Sequence, residues 1–204
     1  MSALFWGRFD HEWPMTQSNI EKFREFTNTP TRRHNFYCYC TQRFAQDQAI
    51  FFILVEAFRQ SRAKRHAIFI NEWFIKGNIP PALDGFITQA NISASLSKNV
   101  GGSVDSAVTA VGRTFSDKMA KHGGGFGGFL GALRQKAGDT GLDADLFQEA
   151  QSGVVGMLAD PYNKFDIYKP DNMYQPNPSF SKQLILFRKE LMCAGFDAKN
   201  LGLY

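Results

Sequence analysis

The side chains that carry out chemistry are sparse in these 204 residues, and their spacing assembles no standard site. His11, His34, His66 and His122 are scattered, with no metal-ligand spacing among them. Cys38-x-Cys40 lacks the second pair that a structural zinc site needs. On a helix the two sulfurs point to different sides, which leaves core filling as the role of Cys40. Cys193 makes the set odd, so no disulfide framework follows, and a reducing compartment is the natural setting. Gly123-x-Gly125-x-x-Gly128 has the glycine spacing of a dinucleotide fingerprint. It follows a helical pattern instead of a strand, however, and no acidic residue stands at the required distance. A hinge or a tight turn accounts for these glycines better. No Gly-Lys-Ser/Thr cradles a phosphate. The reading assigns no catalytic residue, no metal and no cofactor.

Arg59, Arg62, Lys64, Arg65 and His66 form a basic cluster at a helix–helix junction. It could face phosphates, lipid headgroups or an acidic protein patch. A solvated helix end, where cations suit the negative end of the dipole, is the simpler account. No aromatic platform is interleaved with these charges, which argues against nucleic acid and leaves an anionic membrane surface open. The overall excess of 23 Lys+Arg over 19 Asp+Glu is mild. The longest apolar run, Ala49 to Val55, is far short of a membrane span of about 20 residues. The first ten residues show no basic-then-apolar order, which argues against a signal peptide. The expected location is intracellular, cytoplasmic or cytoskeletal.

The elements that must position these residues are helices. Alternating strand patterns are nearly absent, and 20 phenylalanines supply a dense core. Residues 1–17 read as an aromatic arm. Ser18 and Glu21 form a capping box for a helix over 19–27 with Ile20, Phe23 and Phe26 inward, ended by Asn28-Thr29-Pro30. A helix over 34–43 follows. Phe44, Phe51, Phe52, Val55 and Phe58 recur at helical spacing and predict the central, most buried helix over 46–60. Further helices are expected over 63–76, stopped by Gly77-Asn78, and over 84–96. Val104, Val108, Val111 and Phe115 give an apolar stripe over 103–121, before the glycine-rich run at 123–128. A helix from Leu146 ends at Asp160-Pro161. Residues 169–178 are expected to run extended, and Ser179 to cap a last helix over 180–193 that stops at Gly195.

One set of motifs has a family likeness. The segment from Phe44 through Asp47-Gln48, Phe51-Phe52 and Glu56 to Phe58-Arg59 resembles the centre of a regulator of G-protein signalling (RGS) box. The family pattern there is a Phe, a Glu-Asn pair, a Phe-Trp pair, an acidic residue and Phe-Arg. Phe23-Arg24-Glu25-Phe26 and Phe36-Tyr37-Cys38-Tyr39-Cys40 resemble the preceding family helices, and Trp73-Phe74-Ile75 the one ending in Phe-Ile. Leu146-Phe147-Gln148-Glu149-Ala150-Gln151, followed by Asp160-Pro161-Tyr162-Asn163-Lys164-Phe165, resembles the family's Phe-Asp-Glu-Ala-Gln start and Tyr-x-x-Phe end. The likeness covers 20–96 and 143–168. It implies an all-α, RGS-like bundle of about nine short helices over 18–168, with a Gly-rich helical insertion at about 97–142. A Pro/Asn-rich extended segment and a C-terminal helix would make up 169–204. Helices 46–60 and 145–159 should then lie side by side, with Phe51, Phe52 and Tyr162 between them.

The resemblance also implies a partner. The family activates the GTPase of Gα subunits without a catalytic side chain of its own. It clamps the switch regions, and the Arg and Gln of Gα then stabilise charge and orient water. By resemblance the contact edge is Asp47, Gln48, Asp84, Asp160 and Lys164. Departures fall there: Gln48 replaces an Asn, Ala82 stands where a second Asn is expected, and Pro161 replaces a Ser. Apolar positions therefore follow the family better than contact positions do. Two expectations result. One is a non-enzymatic module that docks a protein partner, including subunits of a larger assembly such as a cytoskeletal or ciliary one. The other is a GTPase activator of a Gα-type subunit.

Overall fold

In the computed structural model, the described residues are 17–90, 101–102, 104, 106, 142–165 and 174–204. They form seven α-helices, and no strand occurs among them. The helices are α1 (Gln17–Phe26), α2 (Pro30–Gln42), α3 (Gln46–Ser61), α4 (Lys64–Ile70), α5 (Gln148–Lys164), α6 (Ser181–Cys193) and α7 (Ala198–Leu201). The all-α expectation holds. Residues 1–16 of the arm, most of the helix expected over 103–121 and the glycine-rich run lie outside the described residues. Helical backbone at Gly101, Gly102, Val104 and Ser106 falls near the start of that expected helix, and Val104 is buried.

α3 is the centre, as its periodicity predicts. Ile50 to Val55 and Phe58 are all buried. Its main neighbour is α5, nearly a hundred residues later in the chain. Phe58 meets Phe147 edge-on at 5.2 Å, and Gln151 Nε2 donates to Glu56 Oε1 at 2.7 Å. Position falls on one helix as it rises on the other, so the pair is antiparallel. Phe23 of α1 links Phe52 and Tyr162, its ring 4.6 Å from the one and 5.6 Å from the other. Phe51 turns the other way, toward Phe74 at 5.5 Å. All five rings belong to one core.

A half-buried polar network fixes the register of three helices. Arg24 donates through Nε to Glu56 at 2.8 Å and through Nη2 to Gln151 at 3.1 Å. Replacing Glu56 by Ala leaves both partners half-buried without their acceptor. It is expected to cost about 1–3 kcal/mol, read as a lower urea midpoint at unchanged slope.

Several boundaries differ from the sequence reading. α1 already begins at Gln17, so Ser18 lies inside its first turn and does not cap it. α2 begins at Pro30, not residue 34, because Thr29 caps it by accepting from Arg32 N at 3.3 Å. Proline suits this first helical position, where its missing N–H is not needed. Cys38 and Cys40 are both buried, since α2 is enclosed from His34 through Thr41. Asn71–Ile75 continues α4 as a π-turn. The helix expected over 84–96 is absent at 84–90, where Asp84 and Ile87 form an isolated bridge and Gly85 takes φ +73°. α5 runs through Pro161 to Lys164 instead of ending at Asp160, and Pro161 is buried. Asn177, not Ser179, caps the turn Pro178–Phe180 that leads into α6. α7 was not anticipated; Asp197 caps it, accepting from Lys199 N and Asn200 N.

The C-terminal residues form a strap across α2, α4 and α6. Four successive carbonyls are held by side chains. Arg33 donates to Asn200 O and Leu201 O, His34 Nδ1 to Gly202 O at 3.1 Å, and Arg188 Nε to Leu203 O at 3.0 Å. His66 repeats the device, donating from Nε2 to Gly195 O at 3.1 Å. Each imidazole also stacks on a strap ring, His34 on Tyr204 at 4.0 Å and His66 on Phe196 at 3.8 Å. Burial pushes both histidines below the ordinary value of 6.5. Arg188 adds to the effect at His34, and Arg65 at His66. The folded state therefore resists their protonation more than the unfolded chain does. Their contribution to stability is complete above pH 6.5 and is lost as pH falls from there through the lower folded values. Urea midpoints are expected to fall between pH 7.5 and 5.5, and to fall less in the His34→Gln, His66→Gln double variant.

Candidate interaction site

The antiparallel arrangement brings the C-terminal end of α2, the N-terminal end of α3 and the C-terminal end of α5 to one end of the bundle. The Cys40 thiol feels the Asp47 carboxylate, and the Tyr39 hydroxyl feels the Lys164 ammonium. Tyr39 also meets Phe165 edge-on at 5.4 Å. Asp47, Gln48, Asp160 and Lys164, four of the residues that the resemblance assigns to the contact edge, lie on the helix ends that meet here.

Asp47 faces inward. Its carboxylate accepts from Gln48 N at 3.0 Å and from the Thr88 hydroxyl. Burial raises its pKa, while these two hydrogen bonds pull the other way. Gln46 Nε2 adds a bond to Phe86 O at 3.0 Å. The first turn of α3 thereby pins residues 86–88 against the bundle, and Asp47 acts as a positioning residue. Gln48 is half-buried beside it, and Asp84 is exposed just before the Gly85 turn. Asp160 and Lys164 are exposed on the last turns of α5 and pair at 2.6 Å.

The residue that the periodicity misplaced is Phe44. Helical spacing put it in series with Phe51 and Phe58, yet it lies outside α3. α2 ends with Arg43 N and Ala45 N both donating to Cys40 O at 3.0 Å. That tight reversal forces Phe44 to φ +56°, a region that bulky L residues rarely adopt. The side chain is swung out of the core and is 70% exposed, with an edge contact to Phe180 at 5.8 Å. The signal in the sequence was the Arg43-Phe44-Ala45 linker, too short to turn from α2 into α3 without one left-handed residue.

The basic cluster is divided. Arg59 pairs with Asp145 at 3.0 Å and with Glu56 at 3.6 Å. Arg62 closes α3 in the left-handed conformation, and Lys64 opens α4. The Arg65 guanidinium packs over Gly195, where any side chain would collide with it. His66 is buried under the strap, with Ser61 Oγ 2.8 Å from its Nδ1. At the far end of the bundle a cavity of about 450 Å³ opens between α1, α2 and α3, lined in part by Arg24, Arg33, Phe52 and Gln60. Its arginines already serve the Glu56–Gln151 network and the strap carbonyls. Among the described residues, no cluster of three or more His, Cys, Asp or Glu side chains could hold a metal ion. Among them also, no helix is long and apolar enough to cross a membrane. Burial pushes the Cys38 thiol up to about 12 and the Cys40 thiol well above its ordinary value, so both are held protonated and unreactive.

No protein-family model, no curated protein and no solved structure matches the chain.

Proposed function

We propose that the chain is an RGS-like protein-interaction module that docks a protein partner at the α2–α3–α5 end. Phe44 is the apolar anchor, and Gln48, Asp84, Asp160 and Lys164 are its polar surround. The observation that carries this reading is Phe44. A bulky ring held outward by an unfavourable backbone conformation gains nothing for the core, and strain of this kind collects at binding sites. An exposed aromatic side chain is the kind of residue that anchors an interface hot spot. The order of motifs that resembles the RGS box supports the family kinship. The inward use of Asp47 and the Ala at position 82 favour docking over GTPase activation. The partner is an intracellular protein, including a subunit of a larger cytoskeletal or ciliary assembly.

Phe44→Ala is expected to leave the urea midpoint nearly unchanged. It should weaken capture of the native partner by on the order of 30-fold. Equal capture by both forms would remove Phe44 from the interface.

The exposed Asp160–Lys164 pair, which matches the resembled motif, favours a second reading: GTPase activation of a Gα-type subunit. Single-turnover GTP hydrolysis by purified Gα, with and without the chain, separates the two. An acceleration of about tenfold or more that Asp160→Ala or Gln48→Ala abolishes would establish activation and overturn the purely docking role. An unchanged rate is the outcome expected for docking alone.

A further inference from the structure

Five large apolar side chains are exposed among the described residues, and three of them lie on α6. Ile185, Leu186 and Met192 are 54%, 40% and 70% exposed on α6. Tyr204 is exposed on the strap that Arg188 of α6 holds. Phe44 touches Phe180, the residue before α6. The inner face of this helix is already satisfied, because Leu184, Phe187 and Leu191 are buried. At 100° per residue, Lys182 and Lys189 project opposite that buried face. Ile185 and Met192 flank them on one side and Leu186 on the other. Arg188 adds a third cation, against Glu190 alone.

We propose that the outer face of α6 docks on an anionic membrane surface. Ile185, Leu186 and Met192 enter the boundary between headgroups and acyl chains, and Lys182 and Lys189 lie at the level of the lipid phosphates. Charge selects this occupant: exposed apolar side chains interleaved with lysines are the composition that binds anionic interfaces. Long lysine stems reach the phosphates while the apolar tips go deeper. A second copy of the chain is disfavoured, since a self-complementary contact would set lysine against lysine. Shape points the same way. α6 is a single helix about 20 Å long, short of the buried area a stable protein interface needs. A bilayer requires neither a groove nor a fixed complementary shape. The surface differs from the basic cluster at Arg59–His66, which spans the end of α3, Arg62 and the start of α4 and reaches only Gly195, beyond the end of α6, through Arg65 and His66.

The test is cosedimentation of the full chain with phosphatidylcholine vesicles, with and without phosphatidylserine, over a salt series. Binding is expected only with phosphatidylserine, and it should weaken as salt rises. Lys182→Ala with Lys189→Ala should reduce it on the order of 25-fold. Ile185→Ser with Met192→Ser should reduce it at least tenfold at low salt, with circular dichroism and the urea midpoint unchanged. Arg62→Ala with Lys64→Ala, and Phe44→Ala, should leave it intact, so loss of the docking reading above would not touch this one. Three results would overturn the proposal: no vesicle binding, equal binding to phosphatidylcholine alone, or binding that follows Arg62 and Lys64 instead of α6. Vesicles ignored while the α6 variants abolish capture of an acidic protein would make this face a protein interface, and the proposal would fall.

Discussion

Phe23→Ala is expected to remove about 4 kcal/mol of stability, enough to lower the melting temperature by on the order of 10 °C. The side chain is fully enclosed, with rings from four other residues around it: Phe36 at 5.3 Å, Phe26 at 6.1 Å, Phe52 at 4.6 Å and Tyr162 at 5.6 Å. Those rings come from α1, α2, α3 and α5, so truncation opens a void shared by four helices. Helices locked by the Arg24–Glu56–Gln151 network cannot close it by sliding. The loss combines the transfer term for the phenyl ring, the unfilled cavity and the edge-to-face contacts, each worth about 0.5–1.5 kcal/mol beyond area burial. Urea unfolding followed by circular dichroism measures it. A loss below about 1.5 kcal/mol would mean that the four helices repack freely and that this cluster does not organise the bundle.

Gly202→Ala is the second large effect, expected at about 3 kcal/mol or more. Gly202 ends α7 at φ +76°, where L residues are strained. A Cβ there would lie 2.5 Å from Pro30 O and 2.8 Å from His34 N. Both are backbone atoms in the first turn of α2, so neither can rotate away. Relief requires the strap to lift, and lifting breaks the hydrogen bonds from Arg33, His34 and Arg188 together. Gly85 supplies the control. Its φ is nearly the same, +73°, yet nothing lies within 4 Å of an added Cβ. Gly85→Ala should therefore cost only the conformational term, roughly 1 kcal/mol. Equal losses at the two sites in urea titrations would show that close approach to α2 does not decide the matter.

How much of this was legible beforehand follows from the physics of each element. α3 could be read because its apolar residues recur at helical spacing over four turns, and all of them point into one core. The inward faces of α1 and α6 were read for the same reason: Ile20, Phe23 and Phe26, then Leu184, Phe187 and Leu191, are buried as the spacing predicts. Residues 84–90 failed the same logic. Leu83, Phe86 and Ile87 fit a helical stripe and are indeed buried, but beyond one i to i−4 bond, Ile87 N to Leu83 O, they are held by Gln46, Asp47 and the Gly85 turn. Periodicity reports which side chains are inside; it does not report which backbone puts them there. Phe44 failed because its exposure is set by a linker geometry that no apolar pattern encodes. The strap failed because its partners are backbone carbonyls, which carry no residue-type signal. Asp47 was assigned to the contact edge by the resemblance alone, and its burial against Thr88 is set by packing that residue type does not signal.

The triad of Arg24, Glu56 and Gln151 also bears on how the chain tolerates change in length. The Gln151–Glu56 bond joins positions 95 apart, and the Arg24–Gln151 bond positions 127 apart. The entropy of closing such loops grows only with the logarithm of their size, so halving or doubling the intervening chain alters it by about 0.6 kcal/mol. What the triad demands is alignment, because a one-turn slip of α5 along α3 would strand a carboxylate and a guanidinium in a partly dry seam. Evolution could thus lengthen or trim the stretch between these two helices at little thermodynamic cost, while the relative phase of the helices stays fixed by three side chains.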